Sequence, residues 1–210
     1  MNNRYNYNHG PLIPNYLNII ERCINQSLAE HPRTLAIRFD LRFPGSHTGD
    51  HIAEDAPTYF INNDHRASTR FIESLKAKIR HDIKSRGKTG RRVHPSSVRY
   101  VWVREHGEGN KYHYHTLLLI NNDTYTFGHN AINQNRLVRM IREAWCSALG
   151  IMQDTFESLV HIPQNPFYPL NKNSEGFHQM YDALIYRTSY MCKAKGKPSD
   201  DYRNIGYSAN

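Results

Sequence analysis

Apolar side chains recur along this chain with two periods, one typical of helices and one typical of strands. Spacings of three and four residues predict helices over residues 15–29, 68–85, 133–149 and 174–194. Apolar or partly alternating runs predict strands over residues 34–43, 101–106, 112–120 and 158–163. Helices interspersed with strands, two of which form a hairpin, are typical of an α+β protein with helices packed on an antiparallel sheet.

Polar segments separate these elements. We predict a mobile loop over residues 45–63, a flexible basic loop over residues 85–92 and a Pro- and Asn-rich connector over residues 164–173. Residues 1–12 are expected to be a flexible arm, residues 13–196 a single domain, and residues 197–210 a loose polar tail.

The strand over residues 112–120 begins with two histidines one residue apart. His113 and His115 project from the same face, because alternate side chains of a strand share a face, whereas Tyr114 points the other way. Neighbouring imidazoles can bind one divalent metal ion. In a chain with thirteen histidines this spacing also arises by chance on a solvated sheet edge, so the pair alone leaves both interpretations open.

The preceding strand offers a third ligand across the hairpin. Glu105 would complete a set of one carboxylate and two imidazoles, which suits Mg²⁺ or Mn²⁺ and also binds Zn²⁺ or Co²⁺ in vitro. A four-residue turn over residues 107–110 would instead place His106 on the histidine face, so Glu105 would need a bulge or a twisted pairing. Both residues remain candidates.

The helix over residues 174–194 carries a tyrosine motif. Tyr186, Tyr190 and Lys193 are spaced to share one face. The opposite face has an apolar stripe that explains packing without the tyrosines: Phe177, Met180, Leu184, Thr188 and Met191. A phenol with a pKa near ~10 is a weak nucleophile, but a metal-polarised phosphate and a nearby cation make its attack practicable. Two packing tyrosines and a solvated lysine at a helix end are the alternative.

Together these motifs resemble those of the HUH endonucleases, in particular the rolling-circle replication initiators. His113-Tyr114-His115 matches the His-hydrophobic-His motif, and Tyr186, Tyr190 and Lys193 match Tyr-x-x-x-Tyr-x-x-Lys. The hairpin beginning Glu105-His106-Gly107 resembles that of small phage replication proteins, although His106 stands where an aromatic residue is expected. More closely, residues 34–195 are similar to inovirus-type replication proteins of prophages and phage satellites, the YagK/YfjJ-like proteins.

The resemblance implies a fold and a chemistry. A ferredoxin-like or RRM-like sheet would carry the histidine pair on a central strand, with the tyrosine helix across the metal. The implied activity is metal-dependent, site-specific nicking and joining of single-stranded DNA through a 5′-phosphotyrosine intermediate, which initiates rolling-circle replication of a phage or phage-derived element. Tyr190 or Tyr186 would attack first, the other tyrosine could take over the link, and Lys193 would balance charge. The implied partners are a single-stranded replication origin, a host helicase and a host polymerase.

The charge of the chain favours a polyanionic partner. The formal net charge is +8 and the pI is near 9.4. Nucleic acid is favoured over an anionic membrane because basic residues are interleaved with aromatics and no amphipathic anchor is visible. The candidate DNA contacts are Lys84, Arg86, Lys88, Arg91, Arg92, Arg99 and Arg104. Trp102 is either a stacking surface for bases or a core residue.

Other features bound the location and the alternatives. No membrane-spanning run or secretory signal is apparent, and Cys23, Cys146 and Cys192 show no pairing pattern, so we expect reduced thiols in the bacterial cytoplasm. A transposase or relaxase would use the same chemistry on another DNA end. A non-catalytic nucleic-acid-binding regulator with an RRM-like fold is the alternative from another class, whereas a zinc-dependent hydrolase leaves the tyrosines unexplained.

Overall fold

The computed structural model describes residues 4–44, 62, 64–90, 92–107, 112–126, 135–151 and 157–209. Almost all of the loop predicted over residues 45–63 therefore lies outside the described residues. The helices are α1 (Pro14–Glu30), α2 (Ala67–Lys88), α3 (Arg136–Leu149) and α4 (Phe177–Ser189). The strands are β1 (Arg33–Arg42), β2 (Arg99–His106), β3 (Tyr112–Asn121), β4 (Val160–His161), β5 (Phe167–Asn171) and β6 (Ile205–Tyr207). Short 3₁₀ turns span Glu157–Leu159 and Tyr190–Cys192.

The six strands form one antiparallel sheet. Its order is β4-β1-β3-β2-β6, and β5 pairs with β1. The sequence β1-α2-β2-β3-α3-β4 with the order β4-β1-β3-β2 is the ferredoxin-like arrangement. The predicted α+β class is confirmed, and β1 and β3 occupy the centre of the sheet.

Each face of the sheet is covered by a different pair of helices. Tyr114 and Leu118 of β3 belong to a core shared with α2 and α3, which includes the fully buried Trp145. Leu117 and Leu119 belong to a second core shared with α1 and α4. Because side chains alternate along a strand, His113 and His115 lie on the α1 and α4 face. The predicted core stripe of α3 is buried as expected: Leu137, Val138, Ile141, Trp145 and Ala148.

The prediction of a flexible basic loop over residues 85–92 is wrong for residues 85–88, because α2 continues to Lys88. The Arg86 guanidinium donates to the carbonyl of Thr124 at 3.0 Å and to the Asp82 carboxylate at 3.5 Å. It also lies over the ring of Tyr125. These tertiary contacts hold the helix beyond the point where Gly87 would favour its end.

The connector and the tail predicted over residues 164–173 and 197–210 both contain strands. Pro169 in β5 pairs opposite Leu35, and the missing N–H of proline is tolerated because β5 lies at the edge of the sheet. In β6, Gly206 pairs opposite Trp102, and a Cβ at Gly206 would lie 2.2 Å from the indole. Only glycine fits against this ring, and Trp102 is a buried core residue rather than a stacking surface.

The helix predicted to run to residue 194 ends at Ser189. The Thr188 and Ser189 hydroxyls donate to carbonyls of the preceding turn, which competes with regular helical geometry. The end of the N-terminal arm and the residue that follows it then supply backbone partners, since Ala194 donates to the carbonyl of Pro11 at 2.9 Å and Ile13 donates to the carbonyl of Cys192 at 2.7 Å. The arm is therefore hydrogen-bonded to the segment that carries the tyrosine motif.

Two further expectations concern membranes and thiols. None of the helices in the described residues is both long and apolar enough to cross a membrane. The three cysteines are buried and unpaired, so the chain has no disulfide.

Candidate functional site

The hairpin register decides the third ligand. Glu105 pairs opposite His113, and His106 pairs opposite Tyr112. The turn between His106 and Tyr112 therefore has five residues instead of the predicted four. With five residues in the turn, regular pairing places Glu105 on the same face as the histidines. The alternative His106 lines the cavity beside these residues but is not part of the ligand group, which consists of Glu105, His113 and His115; its ring contacts Tyr112 instead. The predicted need for a bulge is wrong, because the pairing is regular.

Glu105, His113 and His115 bring three ligand atoms within 4.8 Å of one another. The His115 Nε2 atom lies 3.3 Å from His113 Nε2 and 3.0 Å from Glu105 Oε2, while His113 Nε2 and Glu105 Oε2 are 3.9 Å apart. Ligands about 2.0 to 2.1 Å from a shared ion are separated by about 3 Å, so two of the three spacings already fit. This buried group could hold a metal ion, as predicted.

The histidine that lies deepest is oriented by a carboxylate from the neighbouring central strand. Asp40 pairs opposite His115, and Asp40 Oδ1 lies 2.5 Å from His115 Nδ1. Arg38 Nη2 also lies 2.7 Å from Nδ1, but one nitrogen cannot donate to the carboxylate and accept from the guanidinium at once. We assign the Nδ1 hydrogen to Asp40, the shorter and oppositely charged contact, so Nε2, which faces Glu105 Oε2 at 3.0 Å, is the nitrogen that would bind a metal.

Asp40 is held as an anion by its neighbours. Burial alone would raise the pKa of this carboxyl, but Arg38, His115 and His161 hold it well below its usual range. Arg38 Nη1 donates to Asp40 Oδ1 at 2.5 Å, and His161 Nδ1 lies 3.2 Å from Oδ2. Side chains from β1, β3 and β4 therefore hold Asp40 in place.

The protonation states of the candidate ligands suit metal binding. Burial would raise the pKa of Glu105, but the hydrogen bond and charge of His115, together with Lys197 and Lys193, lower it to about 2. Burial lowers the pKa of His113 to about 4, with a further contribution from His115. At neutral pH Glu105 is therefore an anion and His113 a neutral imidazole, which are the forms that ligate metals.

Two lysines from the C-terminal part of the chain also reach Glu105. Lys193 Nζ donates to Oε2, and Lys197 Nζ donates to Oε1 at 2.5 Å. Lys193 is buried, so it is not the solvated lysine at a helix end that was the alternative. The sequence assigned Lys197 to a loose tail, and the alternation of lysines at 193, 195 and 197 was the available signal for its role.

Tyr190 is the tyrosine of the motif that lies beside this group. Its ring is 5.4 Å from the ring of His115 and 4.8 Å from that of His9, and Lys193 Nζ lies 3.8 Å from its centroid. One cavity of about 730 Å³ is lined by five of the six predicted catalytic and metal-binding residues, namely Glu105, His113, His115, Tyr190 and Lys193. Arg42 and Lys195 add two cations to its lining that the sequence did not indicate. We call this space the metal-site cavity.

Tyr186 lies outside the metal-site cavity. Its side chain is exposed and lines a separate groove with Tyr168 and Arg187. The prediction that Tyr186, Tyr190 and Lys193 share one helical face is wrong beyond Ser189, because the α-helix ends there and a 3₁₀ turn redirects the chain.

Three of the candidate DNA contacts lie far from the metal-site cavity. Lys84, Arg86 and Lys88 are on α2, which packs on the other face of the sheet. Arg86 contacts Thr124, just beyond the end of β3, whereas His113 lies at the start of that strand. Eight residues of strand separate the two ends, a distance of about 26 Å. A DNA strand bound at this end of α2 would have to pass around the sheet to reach the candidate metal ligands.

The remaining candidate contacts differ in availability. Arg104 is buried and donates to Asp200 and Asn204, so it stabilises the C-terminal segment instead of presenting charge to phosphate. Arg99 is paired with Glu30 of α1. Arg92 is exposed, and Arg91 lies outside the described residues.

The fold and the site define an α+β protein with a candidate metal centre and an adjacent tyrosine. The chain belongs to the YagK/YfjJ C-terminal domain family, whose model matches residues 1–208. It is 38% identical to YfjJ of Escherichia coli (strain K12) over 208 residues, which covers 97% of this chain and 98% of the relative. It is 34% identical to YagK of the same organism over 206 residues, which covers 97% of each. Both relatives are described as uncharacterized, and no solved structure matches the chain. The YagK/YfjJ-like part of the resemblance is confirmed.

Proposed function

We propose that this protein is a metal-dependent HUH-type endonuclease that nicks and rejoins single-stranded DNA through a 5′-phosphotyrosine intermediate. In this proposal it initiates rolling-circle replication of a phage or phage-derived element. The observation that carries the proposal is that Tyr190, Lys193 and the three candidate ligands line a single cavity. A ligand set, a nucleophile and a cation within one cavity are the parts that phosphoryl transfer to tyrosine requires.

The metal requirement of the proposal rests on the donor set. Glu105, His113 and His115 would hold Mg²⁺ or Mn²⁺, whose charge polarises a scissile phosphate and offsets charge on its oxygens. The mixed carboxylate and imidazole donors suit such an ion, and the Asp40 contact keeps His115 in the required tautomer.

Tyr190 is the proposed nucleophile. Its Oη atom attacks phosphorus and loses its proton, a phosphorus–oxygen bond to the tyrosine forms, and the bond to the 3′ oxygen of the preceding nucleotide breaks. That oxygen takes up a proton and becomes the free 3′-hydroxyl from which a host polymerase extends, on a template that a host helicase unwinds. Joining is the reverse: a 3′-hydroxyl attacks the phosphotyrosine, and Tyr190 recovers its proton.

The cations around Tyr190 would stabilise negative charge on the tyrosine and on the DNA phosphates. Lys193, over the face of the tyrosine ring, stabilises the phenolate and the negative charge of the phosphate. Arg42 pairs opposite His113 and lines the same cavity with Lys195, where both can contact phosphates that flank the scissile one.

The test is a search for a covalent adduct. The protein is incubated with Mn²⁺ and labelled single-stranded DNA from its own genomic neighbourhood, and the products are separated under denaturing conditions. Wild type and the matched control Tyr186→Phe should form a denaturation-resistant adduct, whereas Tyr190→Phe should not, and chelation of the metal should abolish it. If wild type forms no adduct on any neighbouring sequence but binds these strands tightly, the protein is a non-catalytic regulator and the proposal fails.

A further inference from the structure

A second groove, of about 870 Å³, lies between the N-terminal arm, β5 and α4. Four tyrosines line it: Tyr5, Tyr7, Tyr168 and Tyr186. Among the described residues, Tyr7 and Tyr186 are two of the four exposed large hydrophobic side chains, with 54% and 40% of their surfaces accessible. Exposed aromatic side chains gathered in one groove are typical of a binding surface. We call it the tyrosine groove.

The polar lining of the tyrosine groove suits nucleotides. Arg187 lines it, and its side chain forms no hydrogen bond or ion pair with any other described residue, so the guanidinium is available to a phosphate. Gln164, Asn165 and Gln179 add side-chain amides that can both donate and accept at base edges. Among the described residues that line the groove, Asp182 is the only one with a carboxylate, whereas Arg4 and Arg187 are both positively charged.

The tyrosine groove adjoins the metal-site cavity. Asn8 lines both spaces. Arg187 lines the groove and also a smaller cavity of about 280 Å³, whose walls include Tyr190 and His115. The arm is fixed along this track, since the Asn6 N–H donates to Ser189 Oγ at 2.8 Å. A DNA strand in the groove would therefore lie beside the two cavities that Tyr190 lines.

We propose that the tyrosine groove binds unpaired bases of single-stranded DNA beside the scissile phosphate. Bases stack on Tyr7 and Tyr186, and Arg187 contacts the backbone between them. This inference rests on the proposed function for its choice of ligand. It assigns Tyr186 to binding, which explains an exposed tyrosine that lies outside the metal-site cavity.

The test is equilibrium binding without metal, so that it is independent of catalysis. Fluorescence anisotropy in EDTA measures the affinity of the whole chain for a labelled oligothymidylate of about 20 nucleotides. Tyr7→Ala and Tyr186→Ala should each bind about 5- to 150-fold more weakly, because one stacked base is lost. Tyr186→Phe keeps an aromatic ring and should bind within about twofold of wild type. Tyr207→Ala, which removes an exposed tyrosine outside the groove, should bind as wild type does.

The outcomes separate this inference from the proposed function. Wild-type affinity in both Tyr7→Ala and Tyr186→Ala would overturn the inference even if the Tyr190 adduct forms. A loss of affinity in both alanine variants, with no adduct from wild type, would support the groove and overturn nicking. Stronger competition by an oligouridylate than by the same length of DNA would overturn the choice of DNA as ligand.

Discussion

Replacement of Lys193 by glutamine should tighten Mn²⁺ binding while it abolishes nicking. Lys193 Nζ donates to Glu105 Oε2, and this is the same oxygen that lies 3.0 Å from His115 Nε2 in the ligand group. An ion that binds this oxygen must displace the ammonium group. Glutamine retains most of the side-chain length, removes the positive charge and leaves the oxygen to the ion.

The size of the effect follows from the contact that is lost. A hydrogen bond to a charged group contributes about 1.5 to 3 kcal/mol, and each 1.4 kcal/mol corresponds to about a factor of ten in affinity. We therefore expect Lys193→Gln to bind Mn²⁺ about 10- to 150-fold more tightly than wild type. Salt should reduce the difference only slightly, because both side chains are buried.

Isothermal titration calorimetry with Mn²⁺ measures this difference directly. Lys197→Gln is the matched control, since Lys197 donates to the other oxygen of Glu105 and should affect Mn²⁺ affinity less. If Lys193→Gln bound Mn²⁺ with wild-type affinity or more weakly, the ammonium group and the ion would not share Oε2, and the assignment of Glu105 as a ligand would be refuted.

Three further expectations concern the support of the site and the core. Asp40→Asn should weaken Mn²⁺ binding about 10- to 100-fold, because the carboxylate that orients His115 is lost; calorimetry on both proteins checks this. Glu105, whose pKa falls from its ordinary 4.5 to about 2, should stabilise the fold above about pH 4.5 and lose about 3 kcal/mol of this contribution as the pH falls toward 2. Urea unfolding across this pH range should show a larger loss in wild type than in Glu105→Gln, whose remaining loss comes from other carboxylates such as Asp40. Trp145→Ala should lower the free energy of unfolding by about 3 to 5 kcal/mol, against less than about 0.5 kcal/mol for the exposed Tyr207→Ala, as measured by the same method.

The local parts of the fold could be predicted because they follow from spacing along the chain. The stripe of α3, the strand that carries His113 and His115, and the hairpin partner Glu105 all depend on residues within a few positions of one another. The choice between Glu105 and His106 depended on the turn length, and one residue more in the turn exchanges the faces of the whole strand.

The rest of the site depends on pairings between distant parts of the chain. Asp40 reaches His115 because β1 and β3 are neighbours in one register, and no local pattern specifies that register. Lys197 reaches Glu105 across the sequence from a segment whose polar composition is typical of a tail. Pro169 and Gly206 disfavour strands by propensity, yet edge pairing and the Trp102 indole make both positions suitable.

The positions of the basic residues in the fold were the hardest part of the candidate site to predict. Their charge indicates a polyanionic partner, but it does not specify which face of the sheet they occupy. Arg104 is buried against the chain itself, while Arg42 and Lys195 line the metal-site cavity without belonging to any basic run. Burial and strand register, rather than clustering in sequence, determine which cations line the cavity beside Tyr190.

The most direct test of the central claim is to identify the residue that carries DNA after reaction with Mn²⁺. The adduct is digested with protease and nuclease, and the nucleotide-bearing peptide is sequenced by mass spectrometry, with the His113→Ala/His115→Ala double variant as the metal-site control. We expect the modification on Tyr190 in wild type, and no modification in the double variant despite retained salt-sensitive DNA binding. A modification on Tyr186, or an adduct that persists in the double variant with the metal chelated, would contradict the account.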